Sequence, residues 1–494
     1  MRRRVTGLIR YILRAAGYST LGASVVLVIV YVLYLNGRAD LDVWHTAELD
    51  QEFTEGSGIE TFGGYLELEE RLFRQLDELV YAEVQSDQRS SINRYNRGSL
   101  SDPERWRPNW NRSFELQAKS PRAAVLLLHG MSDSPYSLRH LGEGLNAAGA
   151  YVLGLRMPGH GTAPSGLVEI RWQDMAAAVR LAMHHLAEQA GGRPLYIVGY
   201  STGAALAVQY ALAALEDDTL PRVERLVLLS PAIGVTSVAA LAVWQARLGH
   251  LLGLDKLAWN SILPEYDPFK YNSFAVNAGD VVYQLTNEIQ EHIGALEQAG
   301  RLRNLPPILA FSSVVDATVS TPALIEGLFE RLPAGGHELV LFDINKMADI
   351  DQIMNWDPAE VIRAIDRDPD RVFTLSIVSN YGADSPAVSV RTKHPDEAAP
   401  SDAALGISWP GDLYSMSHVA LPFPPDDPVY GGLSPGKSPG IHLGDIALRG
   451  ERGVLQISPA EMLRLRWNPF YDYMQARVLE FFGMDAPVPA QRRS

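Results

Sequence analysis

Residues 195–206 read LYIVGYSTGAAL, and this stretch restricts the fold more tightly than the rest of the chain. An apolar run, Leu195-Tyr196-Ile197-Val198, stops at Gly199-Tyr200-Ser201-Thr202-Gly203 and passes straight into an alanine-rich helical pattern from Ala204 to Leu215. Strand, tight turn and helix in that order predict a nucleophile elbow, whose strained turn lifts the Ser201 hydroxyl clear of a sheet. The flanking residues must then be small, and Gly199 and Gly203 let strand and helix pass closely. The same Gly-x-Ser-x-Gly spacing recurs at Gly432-Leu433-Ser434-Pro435-Gly436, after Asp426-Asp427-Pro428 and before Lys437-Ser438-Pro439-Gly440, which starts no helix. That copy is expected to be a surface turn. Context, not the pattern, singles out Ser201; a buried serine at a strand end is the plainer alternative.

Around the elbow the chain alternates. Apolar strands are predicted at Ala124–Leu128, Tyr151–Leu155, Leu195–Val198, Val223–Leu229, Pro307–Phe311 and Glu338–Phe342. Helical patterns separate them at Pro135–Ala148, Trp172–Gln189, Thr202–Leu215 and Pro322–Leu332. The first of these has Ser134 placed as N-cap, Pro135 at the first helical position and Gly149 after its end. Such alternation predicts an α/β fold with a mainly parallel sheet covered by helices on both faces, and ligands bound beyond the carboxyl ends of the strands, where Ser201 sits.

Two intervals break the rhythm. The first, about 231–304, is far longer than an ordinary connection and holds an apolar helical stretch (Val238–Leu254) and aromatics Trp259, Tyr266, Phe269, Tyr271 and Phe274. Inserted at that point, it would lie over the serine as a lid. The second, about 345–412, carries a strand-like run at Val372–Val378 among acidic turns and prolines, and has no function legible from its residues. A helical pattern from Pro459 to Phe482 closes the domain, which is expected to span 123–494.

Upstream, residues 15–37 carry no charge and include the apolar run Leu21–Leu35. At 1.5 Å per residue such a helix reaches roughly 35 Å, enough to cross a bilayer core. Five arginines (Arg2, Arg3, Arg4, Arg10, Arg14) precede it without an acid, so residues 1–14 are expected in the cytoplasm and everything after Arg38 on the other side, periplasmic if bacterial. A cleaved signal peptide is the competing reading, but no clear small-x-small site follows Leu35. Residues 38–122, polar and aromatic with a helical pattern at Leu66–Val84, are expected to be a leader crossing the surface of the main domain; a membrane spacer is the duller alternative. Setting those five arginines aside, the 38 remaining basic residues face 58 acidic ones, a charge of about −20 that suits neither nucleic acid nor anionic headgroups as partners. The chain has no cysteine, so disulfides, thiolate metal sites and a cysteine nucleophile are excluded.

A serine hydroxyl attacks at neutral pH only with a base in reach, itself oriented by a carboxylate, and the chain order for this architecture is serine, acid, histidine. Asp316 follows Ile308–Phe311 and the short run Ser312-Ser313-Val314-Val315; His418 lies in the late loop SMSHVALPFPPDDP. The predicted set is Ser201, Asp316 and His418. Among the 12 histidines, His394 and His442 are rivals as late loop residues; Asp343, Asp349 and Asp351 are rivals for the acid. The developing oxyanion needs two preset N–H donors, each worth about 3 kcal/mol on removal. Thr202, directly after the serine, supplies one; His129-Gly130-Met131, at the end of the first core strand, supplies the other from Met131. His160 of Gly159-His160-Gly161 precedes the serine and is expected to be structural, its glycines allowing a tight turn.

These residues, Leu126-Leu127-Leu128-His129-Gly130-Met131, Gly159-His160-Gly161, Gly199-Tyr200-Ser201-Thr202-Gly203, Val315-Asp316 with Thr318-Val319, and Ser417-His418, resemble the α/β-hydrolase family, most of all its carboxylesterase and monoacylglycerol-lipase-like branch with the serine aminopeptidases. The resemblance implies acylation of the serine by an ester and release of the acid by water, with a small-molecule or lipid ester as substrate. No cofactor is implied, and no His-x-x-x-His or similar spacing calls for a metal. Acyl transfer or peptide cleavage would use the same residues, and a non-catalytic binding module is the rival from another class. The anchor, the leader and the 345–412 insertion depart from the family pattern.

Overall fold

A computed structural model describes residues 2–85, 88–234, 255–348, 350, 353–368, 370–382, 384–397, 399–432, 436–444 and 455–484. Twelve strands are described: β1 (Phe114–Leu116), β2 (Ala123–Leu128), β3 (Ala150–Leu155), β4 (Leu195–Tyr200), β5 (Arg225–Leu229), β6 (Trp259–Ser261), β7 (Phe274–Ala275), β8 (Ile308–Ser313), β9 (Glu338–Phe342), β10 (Thr374–Gly382), β11 (Ser385–Lys393) and β12 (Ser401–Ser408). Ten form one sheet in the order β1-β3-β2-β4-β5-β8-β9-β10-β11-β12, and β6 pairs with β7 as a separate ribbon. From β3 to β10 every neighbouring pair is parallel; β1, β11 and β12 join antiparallel at the two edges.

The helices are α1 (Arg2–Asn36), α2 (Val43–Thr46), α3 (Phe62–Leu79), α4 (Arg139–Ala147), α5 (Trp172–Ala190), α6 (Thr202–Ala213), α7 (Val276–Gln298), α8 (Thr321–Gly327), α9 (Pro358–Arg367), α10 (Pro459–Met462) and α11 (Tyr471–Phe481). Because successive strand side chains point to opposite faces, β2 feeds two cores. Ala124, Leu126 and Leu128 pack with α5, α6 and α7 on one face. Ala123, Val125 and Leu127 pack with α4 and α11 on the other. This is the α/β-hydrolase arrangement, a mostly parallel sheet with helices on both sides.

Several expectations change in detail. Residues 345–412, expected to hold one strand-like run, add three strands to the sheet. The Val372–Val378 run is the start of β10, which pairs parallel with β9, and β11 and β12 extend the sheet from there. The helix expected over Pro135–Ala148 begins as a 3-10 turn at Pro135–Leu138, and the Ser134 side chain caps nothing. The closing pattern splits into α10 and α11, separated by residues 463–470. Of the 231–304 insertion, residues 235–254 lie outside the described set; the rest forms the ribbon, a loop through Glu265–Ser273 and the long α7.

The leader is built into the molecule. Phe53, Phe62, Tyr65 and Leu68 join the core on the α5 side of the sheet, and β1 adds an edge strand beside β3. Residues 15–36 of the span expected at 15–37 fall within α1, one continuous helix of 35 residues. Among the described residues no helix is long and apolar enough to cross a membrane. The side chains of residues 27–28, 31–33 and 35, inside the apolar run, and of residue 36 beyond it lie outside that set.

Candidate active site

β4 delivers Ser201 into the turn before α6 with φ 54° and ψ −116°, a conformation that a non-glycine residue adopts only when its surroundings enforce it. The glycines explain how. A Cβ on Gly199 would lie 2.4 Å from the Cα of Ala204, and one on Gly203 would lie 2.1 Å from the Leu128 carbonyl oxygen. Both clashes are with backbone, so neither position takes a side chain. The Ser201 N–H donates to the Leu229 carbonyl at 2.9 Å, and its own carbonyl accepts from Ala204, Ala205 and Ala232. The serine is thus held from β5 as well as from its own helix.

The three expected side chains meet at the carboxyl end of the sheet. His418 Nε2 lies 3.1 Å from Ser201 Oγ, and His418 Nδ1 lies 2.9 Å from Asp316 Oδ2. A carboxylate at Nδ1 places the proton there and leaves Nε2 as an acceptor facing the serine. Asp316, in the turn after β8, takes the N–H groups of Thr318 and Val319 on its other oxygen at 2.8 and 3.0 Å. Burial pushes the Asp316 carboxyl up, but the His418 bond and charge with those two N–H groups outweigh it and leave the pKa below the usual range. His418 is 5% exposed; Tyr200 donates its hydroxyl to the His418 carbonyl at 3.4 Å, and Ser417 Oγ donates to the Leu465 carbonyl.

The rivals sit elsewhere. His394 pairs with Thr374 and His442 with the Gly431 carbonyl. Asp343 accepts from Ser379 Oγ at 2.8 Å; Asp349, Asp351 and the second serine, Ser434, lie outside the described residues.

The His129-Gly130-Met131 turn passes beside the serine: the Cβ that Gly130 lacks would be 3.2 Å from Ser201 Cβ and 2.7 Å from Asp133 Oδ2. Among the described residues neither the Met131 nor the Thr202 N–H is taken by another group. His129 Nε2 accepts from the Met157 N–H at 3.1 Å, tying this turn to the strand-end turn of β3. His160 donates Nδ1–H to the Pro158 carbonyl at 2.9 Å and is fully buried, which pushes its pKa down to about 4. Both imidazoles are neutral spacers between turns. Among the described residues no three His, Asp or Glu side chains gather to hold a metal ion. A cleft of about 680 Å³ lies between Leu41–Thr54, Pro158–Ile170 and Asp255–Trp259, and Ser201, Asp316 and His418 do not line it.

Residues 119–343 match the model of a protein family described as serine aminopeptidase, S33. Over those residues, somewhat under half of the chain, the protein is similar to serine hydrolases of the α/β-hydrolase fold. No curated protein matches it. Among solved structures, this hydrolase is similar to a monoacylglycerol lipase from Paleococcus ferrophilus, at 21% identity over 47% of this chain and 88% of that one, with a TM-score of 0.36. A soluble variant of monoglyceride lipase from Saccharomyces cerevisiae shares 14% identity over 47% and 82%, with a TM-score of 0.36. A thermophilic esterase from Thermogutta terrifontis shares 19% over 47% and 77%, with a TM-score of 0.30.

Residues around the site whose roles the sequence pattern did not disclose are Tyr200, whose place in the elbow is visible but whose bond to the His418 loop is not, Tyr271, legible only as one aromatic of the 231–304 interval, and Lys270, which carries no local signal.

Proposed function

We propose that the chain cleaves carboxylic esters through an acyl-enzyme on Ser201, with His418 as base and Asp316 as its orienting acid. The observation that carries the reading is the continuous contact from Asp316 through His418 to Ser201 at 2.9 and 3.1 Å, on a strained elbow. Ser201 Oγ attacks the ester carbonyl carbon while its proton passes to His418 Nε2. The carbonyl electron pair moves to oxygen, where the N–H groups of Met131 and Thr202 receive it. Collapse expels the alcohol, protonated by His418, and water repeats the sequence to release the acid. Asp316 remains ionised and steadies the imidazolium.

Labelling with a fluorophosphonate tests this directly. Residues from about 40 onward are expected to label, and Ser201→Ala and His418→Ala to abolish labelling and lower kcat by about 10⁴-fold or more, while His394→Ala labels normally. Labelling that survived Ser201→Ala would sink the assignment. The family description favours one second substrate class, amino-terminal peptides; an aminoacyl anilide cleaved faster than p-nitrophenyl esters would replace the ester reading.

The same proposal places residues 15–37 in a membrane, with the hydrolase on the non-cytoplasmic side and lipid esters among its substrates. Its support is an uncharged stretch within α1 whose Leu21, Val25, Val26, Ile29 and Val30 are each more than half exposed in the chain alone, surface that lipid would cover. Recovery of the full chain in salt-washed membranes, but of residues 38–494 in the supernatant, is expected. Activity on short soluble esters with none on monoacylglycerols would remove the lipid part.

A further inference from the structure

The loop after β2 runs Gly130-Met131-Ser132-Asp133, and a segment from the 231–304 insertion grips it. Lys270 Nζ donates to Asp133 Oδ1 at 2.8 Å. One residue on, the Tyr271 N–H donates to the Ser132 carbonyl at 2.8 Å. Ser132 holds φ 63°, a second strained serine, so this turn needs an outside hold to keep its shape. Asp133 in turn donates its N–H to the Gly130 carbonyl at 3.2 Å and lays its other carboxylate oxygen over Gly130. The loop is therefore wedged between Ser201 on one side and Lys270-Tyr271 on the other, with Met131 in the middle.

The gripping segment is itself fixed. Asp267 Oδ1 accepts the N–H groups of Phe269 and Lys270 and the Tyr430 hydroxyl. From the leader, Arg94 donates to the Lys270 carbonyl at 3.3 Å and Asn111 to the Pro268 carbonyl at 2.9 Å. Leader, insertion loop and oxyanion loop form one series of polar contacts ending beside the serine.

We propose that Lys270 is a positioning residue: its ion pair with Asp133 sets the direction of the Met131 N–H toward the oxygen that becomes charged. This rests on Ser201 as nucleophile and Met131 as oxyanion donor. The Lys270 side chain is 31% exposed but that of Asp133 only 8%, so removing the lysine also costs stability. A positioning role is therefore read from kcat, KM and affinity for an oxyanion mimic, which a loss of stability alone would not move together.

The test uses the full chain with Lys270→Met, Lys270→Gln, Lys270→Arg, Asp133→Asn and the double variant Lys270→Met/Asp133→Asn, assayed on a p-nitrophenyl ester. Losing an oxyanion donor outright costs about 10²–10³ in kcat, so a misdirected one is expected to cost about 10–100-fold in Lys270→Met. KM should stay within about 3-fold, since the donor acts on the transition state. Affinity for a trifluoromethyl ketone, whose adduct carries the oxyanion, should fall by the same factor as kcat. Lys270→Arg should recover most of the loss, and the double variant should be no worse than the poorer single. A kcat within 3-fold of wild type, or a kcat loss with unchanged ketone affinity, overturns the proposal. If Lys270→Met does not fold, the Gln and Arg variants decide by the same criteria. Wild type that neither labels with fluorophosphonate nor turns over would fail the underlying reading, not this one.

Discussion

β2 and α3 are both buried, but by different means. Every side chain of β2 is at most 2% exposed, among apolar neighbours on both faces. α3, in the leader, buries Glu69 at 4% beside Phe62, Tyr65, Leu68 and Leu72. That carboxylate meets Arg156 Nε at 3.0 Å, while the two Arg156 terminal nitrogens grip both oxygens of Glu52 at 2.9 and 3.0 Å. The sheet holds by non-directional burial, whereas the leader holds by charges that water no longer solvates. A region fixed in the second way tolerates loss of a partner badly, because the remaining charge stays buried.

The largest expected effect follows from that difference. Arg156→Met leaves two carboxylates facing each other without a counterion and is expected to cost about 3–5 kcal/mol. Arg156→Lys keeps the charge but loses the fork that spans Glu52, and should recover only part. Urea unfolding of residues 38–494 measures both. A cost under about 1 kcal/mol would mean that the leader lies on the domain rather than in it.

A second effect, smaller, turns on pH. Burial pushes His45 in the leader, and His160 and His337 in the core, down to a pKa of about 4. Each is neutral when folded, while the unfolded chain takes a proton below about 6.5. Their stabilisation is thus complete above that value and is lost as pH falls from about 6.5 toward 4. Glu265 works the other way: burial raises it to about 7, so its share is lost as pH rises through that value. Comparing urea stability at pH 7 and pH 5, wild type is expected to lose about 1–2 kcal/mol more than His45→Gln. Equal losses would show that the leader's histidine is solvated in solution.

The contrast between the two regions also governs what the residues alone disclose. β2 and β4 stand within two residues of the apolar runs that forecast them, because an apolar run is a local signal. β11 and β12 escaped notice because SPAVSVRTK and SDAALGIS hold no sustained apolar run, and β12, the edge strand, is largely exposed; only the Val372–Val378 run at the start of β10 was apolar enough to see. The leader's place was hidden for a different reason: Glu52 and Arg156 are 104 residues apart, and neither announces the other. Within the site, Ser201 is legible from its flanking strand and helix, and Asp316 from following β8. His418 follows Asp316 in chain order, as His394 and His442 do; of the three it is His418 that lies against Asp316 and Ser201. Lys270 and its carboxylate partner are 137 residues apart, with no pattern at either end.

The smallest effect reverses the expectation that local signals belong to the core. Ser134 stands before Pro135 as a helix cap should, yet its hydroxyl is buried at 1% exposure and finds no partner among the described residues. Thr61, in the leader, does cap: its Oγ1 accepts from the Gly64 N–H at 3.1 Å at the start of α3. Removing a working cap costs about 1 kcal/mol, so Thr61→Ala should lower stability by about that much. Removing a buried hydroxyl that bonds to nothing also removes its desolvation cost, so Ser134→Ala should fall within about 0.5 kcal/mol of wild type or stabilise slightly. Paired urea titrations of the two variants resolve the difference. If Ser134→Ala cost as much as Thr61→Ala, the hydroxyl would have a partner in solution, and the 3-10 turn at Pro135–Leu138 would be a capped start of α4 after all.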